Sequence, residues 1–246
     1  MKFQQRLYRN AILNSRLVHF QITVKETDLM VSASVHLEAE TRELVLTHRG
    51  YLEAYIEQYP KFQKTLKPWR ISGPAPAIVR EMALAGEKSG VGPMAAVAGA
   101  ISEAVGRGLL QLSDEVIVEN GGDTFFKTQV PVIVGIYAGN SPLSMKFGLK
   151  VDSTTCPVSL CTSSGTVGHS LSFGKADAVC VMSGSCALAD AVATAVGNRI
   201  RSAQDISGAI HFGKNIPGVS GLAVIVGKDM GLWGNLEVIP LGGKKC

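Results

Sequence analysis

The chain has 246 residues, of which 46% are apolar and 18% are charged, and its formal net charge is +4. This length suits one domain with a sizeable core, and the composition excludes both a disordered chain and a bundle of membrane helices. The net charge is +5 over residues 1–80 and −1 over the remainder, without the basic clusters and interleaved aromatics of a nucleic-acid surface. No secretory signal or bilayer-spanning segment is recognisable, so we expect a soluble cytoplasmic protein with no membrane or nucleic-acid partner.

The first part of the chain is predicted to form a β-hairpin and three helices. Two segments alternate apolar and polar residues around a KETD turn, and the next has a helical stripe that ends at Pro60. The predicted ranges are 17–24 and 28–37 for the hairpin, then 40–59, 76–89 and 93–110 for the helices. Only two of the 27 glycines, Gly50 and Gly73, lie in residues 1–80, so we expect the function in the glycine-rich remainder.

The rest of the chain alternates strands and one alanine-rich helix irregularly. The predicted strands cover residues 115–119, 132–138, 145–151, 177–182 and a final pair at 222–227 and 235–239, and the helix covers 186–202. This order favours an α+β layered domain of mostly antiparallel sheets packed with helices over a doubly wound sheet. We expect residues 1–246 to form one domain, in which two alanine-rich helices next to glycine-rich turns indicate a duplicated plan.

Two glycine motifs are candidates for ligand binding. Gly90 and Gly92 precede Pro93 at the start of a helix, where free backbone amides are suited to an anion; the alternative is a plain helix–helix connector. The second motif is Asn120-Gly121-Gly122-Asp123 at the end of a strand, where the backbone can approach a ligand closely. Its alternative is a tight hairpin turn, which favours the same residues.

A hydroxyl-rich segment at 161–175 contains almost no core-forming residues. Thr162, Ser163, Ser164 and Gly165 suit a cradle for phosphate oxygens, and His169 is a candidate acid or base. The alternatives are a surface loop and a hydrolase in which Ser163 or Cys161 is the nucleophile and His169 the base.

The predicted helix from residue 186 carries oxygen-bearing side chains one turn apart. Asp190, Thr194 and Asn198 are spaced i, i+4 and i+8, and the first two suit half of a Mg²⁺ coordination shell. The alternative is helix capping by Asp190 and a hydrogen bond from Thr194 to a preceding carbonyl. The odd number of cysteines, five, without a secretory signal favours reduced thiols. Four of them lie at 156, 161, 180 and 186, with a spacing looser than that of zinc sites.

Three of these segments occur in an order that resembles a known family. ENGGD at 119–123, TSSG…H at 162–169 and ADAVAT at 189–194 resemble the ApbE superfamily, the FAD:protein FMN transferases. The runs VGPMAAVAGAISEAVG and CTSSGTVGHSLSFGKADAV look more closely like a shorter, uncharacterised prokaryotic branch of it.

The resemblance implies a T-fold-like architecture that binds FAD and Mg²⁺. By motif matching it assigns Asp190 and Thr194 as metal ligands, and Gly121, Gly122 and Asp123 as the family's contact with the flavin nucleotide. The family's T-S-G segment matches Thr162, Ser163 or Ser164, and Gly165, and the histidine that follows it matches His169, the candidate catalytic residue. The implied reaction splits the FAD pyrophosphate and attaches FMN to a Thr or Ser hydroxyl of an acceptor protein.

The sequence also departs from the family pattern. No acidic residue or proline follows His169 in the segment Ser170–Gly174, and no lysine occurs in Ala95–Gly99. These departures keep a non-catalytic flavin- or nucleotide-binding protein as the alternative function. The small-residue helices permit a homo-oligomer but do not require one.

Overall fold

The computed structural model describes residues 16–165 and 174–241. Within them the strands are β1 (Val18–Val24), β2 (Thr27–Ala33), β3 (Val116–Asn120), β4 (Asp123–Lys127), β5 (Val132–Gly135), β6 (Phe147–Val151), β7 (Val158–Ser163), β8 (Ala178–Ser183), β9 (Val219–Val226), β10 (Asp229–Gly234) and β11 (Glu237–Pro240). The helices are α1 (Glu38–Gln58), α2 (Pro60–Lys64), α3 (Ala77–Ser89), α4 (Val97–Leu109), α5 (Cys186–Gly197) and α6 (Ile206–Lys214).

Eight of these strands form one antiparallel sheet in the order β1-β2-β3-β4-β7-β8-β9-β10. Its two four-stranded halves meet where β4 pairs with β7, from Asp123 opposite Cys161 to Phe126 opposite Val158. Strands β5, β6 and β11 form a second, three-stranded sheet. The prediction of an α+β fold of mostly antiparallel sheets is therefore confirmed.

Helices α4 and α5 lie against the strands at this junction, and small residues make the close approach possible. A Cβ on Gly106 of α4 would come within 2.7 Å of the Phe125 ring on β4, so a larger residue would push the helix off the sheet. A Cβ on Gly99 would lie 2.9 Å from the Cβ of Asp190 on α5. The two helices consequently hold their first turns close together.

Several boundaries differ from the sequence prediction. The predicted pairing of 222–227 with 235–239 is wrong, because β9 pairs with β10 and β11 pairs with β6. Strand β10 escapes prediction because it contains glycines, but Gly231 gives α6 room to pack: its Cβ would lie 2.7 Å from Ile210 Cδ1. The helix predicted over 186–202 ends at Gly197. No helix in the described ranges has the length and apolarity to cross a membrane.

Candidate functional site

The Asn120–Asp123 segment is the tight turn that joins β3 to β4. Asn120 pairs with Asp123, and the two central residues, Gly121 and Gly122, have φ angles of +69° and +106°. Such positive values favour glycine and explain the paired glycines. The turn is also fixed from outside, because the Gly122 carbonyl accepts a hydrogen bond from the Thr162 N–H at 3.2 Å. Thus Gly122 and Thr162, which the sequence predicts as ligand contacts, are neighbours at the β4–β7 junction.

Asp123 is a buried carboxyl group at this junction. It begins β4 opposite Cys161 and is 8% exposed. Burial raises its pKa well above the usual range, and the neighbouring Asp190 charge raises it further. Asp123 and Asp190, which are predicted from separate motifs, are therefore close enough for their charges to interact in a poorly solvated part of the protein.

Asp190 connects α5 to the first turn of α4. Its Oδ2 accepts a hydrogen bond of 2.9 Å from the backbone N–H of Gly99, and α4 has no side-chain cap of its own. Burial raises the Asp190 pKa to about 7, although the amides of Gly99 and Ala98 favour the charged form. Asp190 thus caps α4, whereas the first amides of its own helix are satisfied by other residues.

Thr194 follows Asp190 by one helical turn, on the same face of α5. Its side chain is partly buried, and within the described residues its hydroxyl makes none of the hydrogen bonds observed, including the expected bond to a preceding carbonyl. The Thr194 hydroxyl is therefore an oxygen ligand that neither helix uses, on the same face of α5 as the Asp190 carboxylate.

The donor set at this junction suits a hard cation. Carboxylate and hydroxyl oxygens are preferred by Mg²⁺, which typically completes its shell with water and substrate phosphates. No cluster of three or more His, Cys, Asp or Glu side chains suited to a metal occurs within 16–165 and 174–241. A cation here would therefore take part of its coordination from a bound ligand.

The hydroxyl-rich segment begins as a strand and not as a loop. Thr162 and Ser163 are the last residues of β7, and Ser163 pairs with Val179. Gly165 packs against the Gly174 backbone and donates its N–H to the Ala176 carbonyl at 2.9 Å. Ser164 is partly buried beside them. His169 lies outside the described residues.

Gly90 and Gly92 have packing roles. Gly90 ends α3 in the left-handed conformation, with φ +75°, and donates its N–H to the Gly86 carbonyl at 2.8 Å. A Cβ on Gly92 would collide with the Thr65 carbonyl. The connector alternative accounts for both glycines, so their contact with a phosphate remains a prediction.

The cysteines do not support the alternative chemistries. The Cys161 and Cys186 sulfurs lie 3.5 Å apart in the core, and burial raises the pKa of the Cys161 thiol well above its usual range. Burial also raises the pKa of Cys180 to about 11, while Cys156 is exposed. A nucleophilic or metal-bound cysteine needs its thiolate, which these surroundings disfavour.

Sequence reasoning missed two polar residues of α4 that support the site. The Ser102 hydroxyl donates to the Asp123 carbonyl at 3.0 Å, and Glu103 Oε2 accepts the Cys186 N–H at 2.7 Å. The signal was a polar Ser-Glu pair inside an otherwise alanine-rich helix, with Arg107 one turn after the glutamate.

Comparison with known proteins agrees with this architecture. The family model described as "AbpE bacteria" matches residues 9–224. The UPF0280 protein of Methanococcus aeolicus is 39% identical, with 89% of this chain and 91% of the relative covered. The UPF0280 protein of Methanocella arvoryzae is 42% identical, with 88% of each chain covered.

Solved structures of similar fold are also found. The flavin transferase ApbE from Vibrio cholerae superposes with a TM-score of 0.55 at 12% identity, covering 88% of this chain and 96% of that one. The Pseudomonas stutzeri flavinyl transferase ApbE in its apo form superposes with a TM-score of 0.54 at 14% identity, covering 88% of this chain and 93% of that one. At these identities the likeness establishes the fold.

Proposed function

Because the chain belongs to the family that the AbpE bacteria model describes, we propose that it is a Mg²⁺-dependent, flavin-nucleotide-binding enzyme of ApbE type. The observation that carries the proposal is the interacting pair of carboxyl groups, buried Asp123 and partly buried Asp190, where the two halves of the large sheet meet. Two carboxylates in one poorly solvated space favour either a shared proton or a bound cation. The unused Thr194 hydroxyl adds an oxygen donor on the same side of α5.

In this proposal, Asp190 and Thr194 hold the cation. The Gly99 amide fixes the direction of the Asp190 carboxylate, which would bind the metal together with the Thr194 hydroxyl. Mg²⁺ would supply charge neutralisation for a bound diphosphate. The Asn120–Asp123 turn and the end of β7, with Thr162 to Gly165, would contact the flavin nucleotide.

The chemistry proposed is transfer of FMN from FAD to a hydroxyl of an acceptor protein. The acceptor oxygen forms a bond to the phosphorus on the riboflavin side, and the bond from that phosphorus to the bridging oxygen breaks, so AMP leaves. His169 is proposed to take the hydroxyl proton or to orient the diphosphate. The proposed binding partners are thus a flavin nucleotide and an acceptor protein with an accessible Thr or Ser.

Calorimetric titration of FAD with and without MgCl₂ tests the binding proposal. We expect Mg²⁺-dependent binding in the wild type and its loss in Asp190→Asn. Asp205→Asn is the matched control, because Asp205 also accepts backbone N–H groups, from Arg201 at 2.9 Å and Ser202 at 2.8 Å, and belongs to the turn before α6. FAD binding that changes neither with Mg²⁺ nor with Asp190→Asn would refute the proposed site.

Release of AMP tests the transfer step separately. The protein is incubated with FAD, divalent cations and an extract, and flavin fluorescence on a denaturing gel reports covalent attachment. Mg²⁺-dependent FAD binding without AMP release would reject the transferase. It would leave a flavin-binding protein, which the missing lysine in Ala95–Gly99 favours as the second candidate.

A further inference from the structure

We propose that Glu103 is a positioning residue for the cation site, holding α5, which carries Asp190 and Thr194, in place against α4. The inference rests on the proposed function for its consequence in cation binding, but its structural basis is independent of it. Glu103 lies on α4, is buried, and accepts the N–H of Cys186, the first residue of α5, at 2.7 Å.

The contact between α4 and α5 is reciprocal. Glu103 of α4 binds the first amide of α5, and Asp190 of α5 binds the Gly99 amide in the first turn of α4. Each helix therefore supplies a carboxylate to the N-terminal turn of the other, where such a charge is favourable. Loss of either bond would let the helices slide or separate at the place where Asp190 acts.

Glu103 is itself held in a fixed direction. Its Oε1 accepts hydrogen bonds from Nε and Nη2 of Arg107, at 2.9 and 2.7 Å. The Arg107 guanidinium in turn lies over the Phe125 ring on β4, 5.8 Å from its centre. This series of contacts ties the start of α5 to the strand that Asp123 begins, so the distance between the two aspartates depends on Glu103.

The sequence offers a matched control for Glu103. Glu115 is also buried, and its Oε2 accepts one backbone N–H, from Gln129 at 2.8 Å, and pairs with Arg16 at 3.2 Å. It precedes β3, at the opposite end of that strand from Asn120. Replacing Glu115 by alanine removes the same kinds of bond without touching α5.

The test compares Glu103→Ala, Glu103→Gln and Glu115→Ala by two measurements. Hydrogen exchange of the Gly99 amide reports the α4–α5 contact without any ligand, and Mn²⁺ titration in the presence of FAD reports the cation site. We expect Glu103→Ala to expose the Gly99 amide and to weaken Mn²⁺ binding by about 10- to 100-fold, the range for residues that orient metal ligands. Glu103→Gln, whose amide oxygen can still accept the Cys186 N–H although its NH2 group cannot accept from Arg107, should restore part of both.

The outcomes separate the inference from the proposed function. Equal effects of Glu103→Ala and Glu115→Ala on both measurements would overturn the positioning role, because a general loss of stability would then explain them. Failure of glutamine to restore Gly99 protection would overturn it as well. A wild type that binds no Mn²⁺, with Gly99 protection lost only in Glu103→Ala, would reject the proposed function and support the positioning role.

Discussion

The carboxylate of Asp190 and the backbone N–H of Gly99 are joined by a 2.9 Å hydrogen bond across two helices that are far apart in the chain. Asp190 has two simultaneous roles. It satisfies the first turn of α4, and its charge also interacts with the buried carboxyl group of Asp123. The dual role explains why a partly buried carboxylate is kept at a place where burial alone disfavours its charge.

Asp190 makes stability depend on pH. An aspartate has a pKa of about 3.9 in an unfolded chain, whereas Asp190 has a pKa of about 7 in the folded protein. The stabilisation that protonated Asp190 gives the fold is fully present below pH 4, where this carboxyl group is protonated in both the folded and the unfolded chain. As the pH rises from 4 to 7 the unfolded chain ionises first, so the free energy of unfolding falls by at most ~1.4 kcal/mol per unit, and the loss stops above 7.

Thermal unfolding of the wild type and of Asp190→Asn, across pH 4 to 8, isolates this effect from other carboxyl groups. The asparagine oxygen still accepts the Gly99 N–H, so the variant should gain stability relative to the wild type as the pH rises. Because Mg²⁺ competes with the proton, its affinity for the wild type should rise through the same window and level off above it. A stability difference that does not change with pH would contradict the assignment.

A methyl group at position 99 should separate the two helices. The Cβ of Gly99→Ala would collide with the Cys186 carbonyl and crowd Asp190, and such overpacking typically costs ~1–3 kcal/mol. The free energy of unfolding from urea titration should fall accordingly, with a parallel loss of cation binding. Gly50→Ala is the control: Gly50 is exposed on α1 with open space around it, and alanine there should stabilise the helix by up to ~1 kcal/mol.

How far the sequence could predict this region depended on how local each interaction is. The turn at Gly121-Gly122 is encoded by its own residues. The sequence offers helix capping by Asp190 only as the alternative to metal binding and at the start of its own helix, whereas in the structure Asp190 caps α4. Its true partner, Gly99, is 91 residues away, and no spacing rule connects the two. The polar residues Thr162 and Ser163 favour a loop at the end of β7, although pairing with β8 keeps them in the sheet.

The two glycines of the β3–β4 turn should tolerate substitution differently. At Gly121, φ is +69°, which asparagine also adopts, and Asn-Gly is a favoured pair in such turns. At Gly122, φ is +106°, so Gly122→Ala strains the backbone and disturbs the bond from Thr162. We expect urea titration to show little change for Gly121→Asn and a loss of ~1–2 kcal/mol for Gly122→Ala; the reverse order would contradict the turn geometry.

Thiol reactivity should distinguish the buried cysteines from the exposed one. In a Cys246→Ser background, which removes the cysteine outside the described residues, a thiol reagent should modify Cys156 quickly in the native protein. Cys161 and Cys186 are fully buried, and burial raises the pKa of both thiols, so they should react only after unfolding. Cys156→Ser provides the control, because it should abolish native labelling. Rapid labelling of Cys161 in the folded protein would instead support a cysteine nucleophile. It would require Cys161 to be accessible and to ionise in spite of its burial and of the neighbouring Asp123.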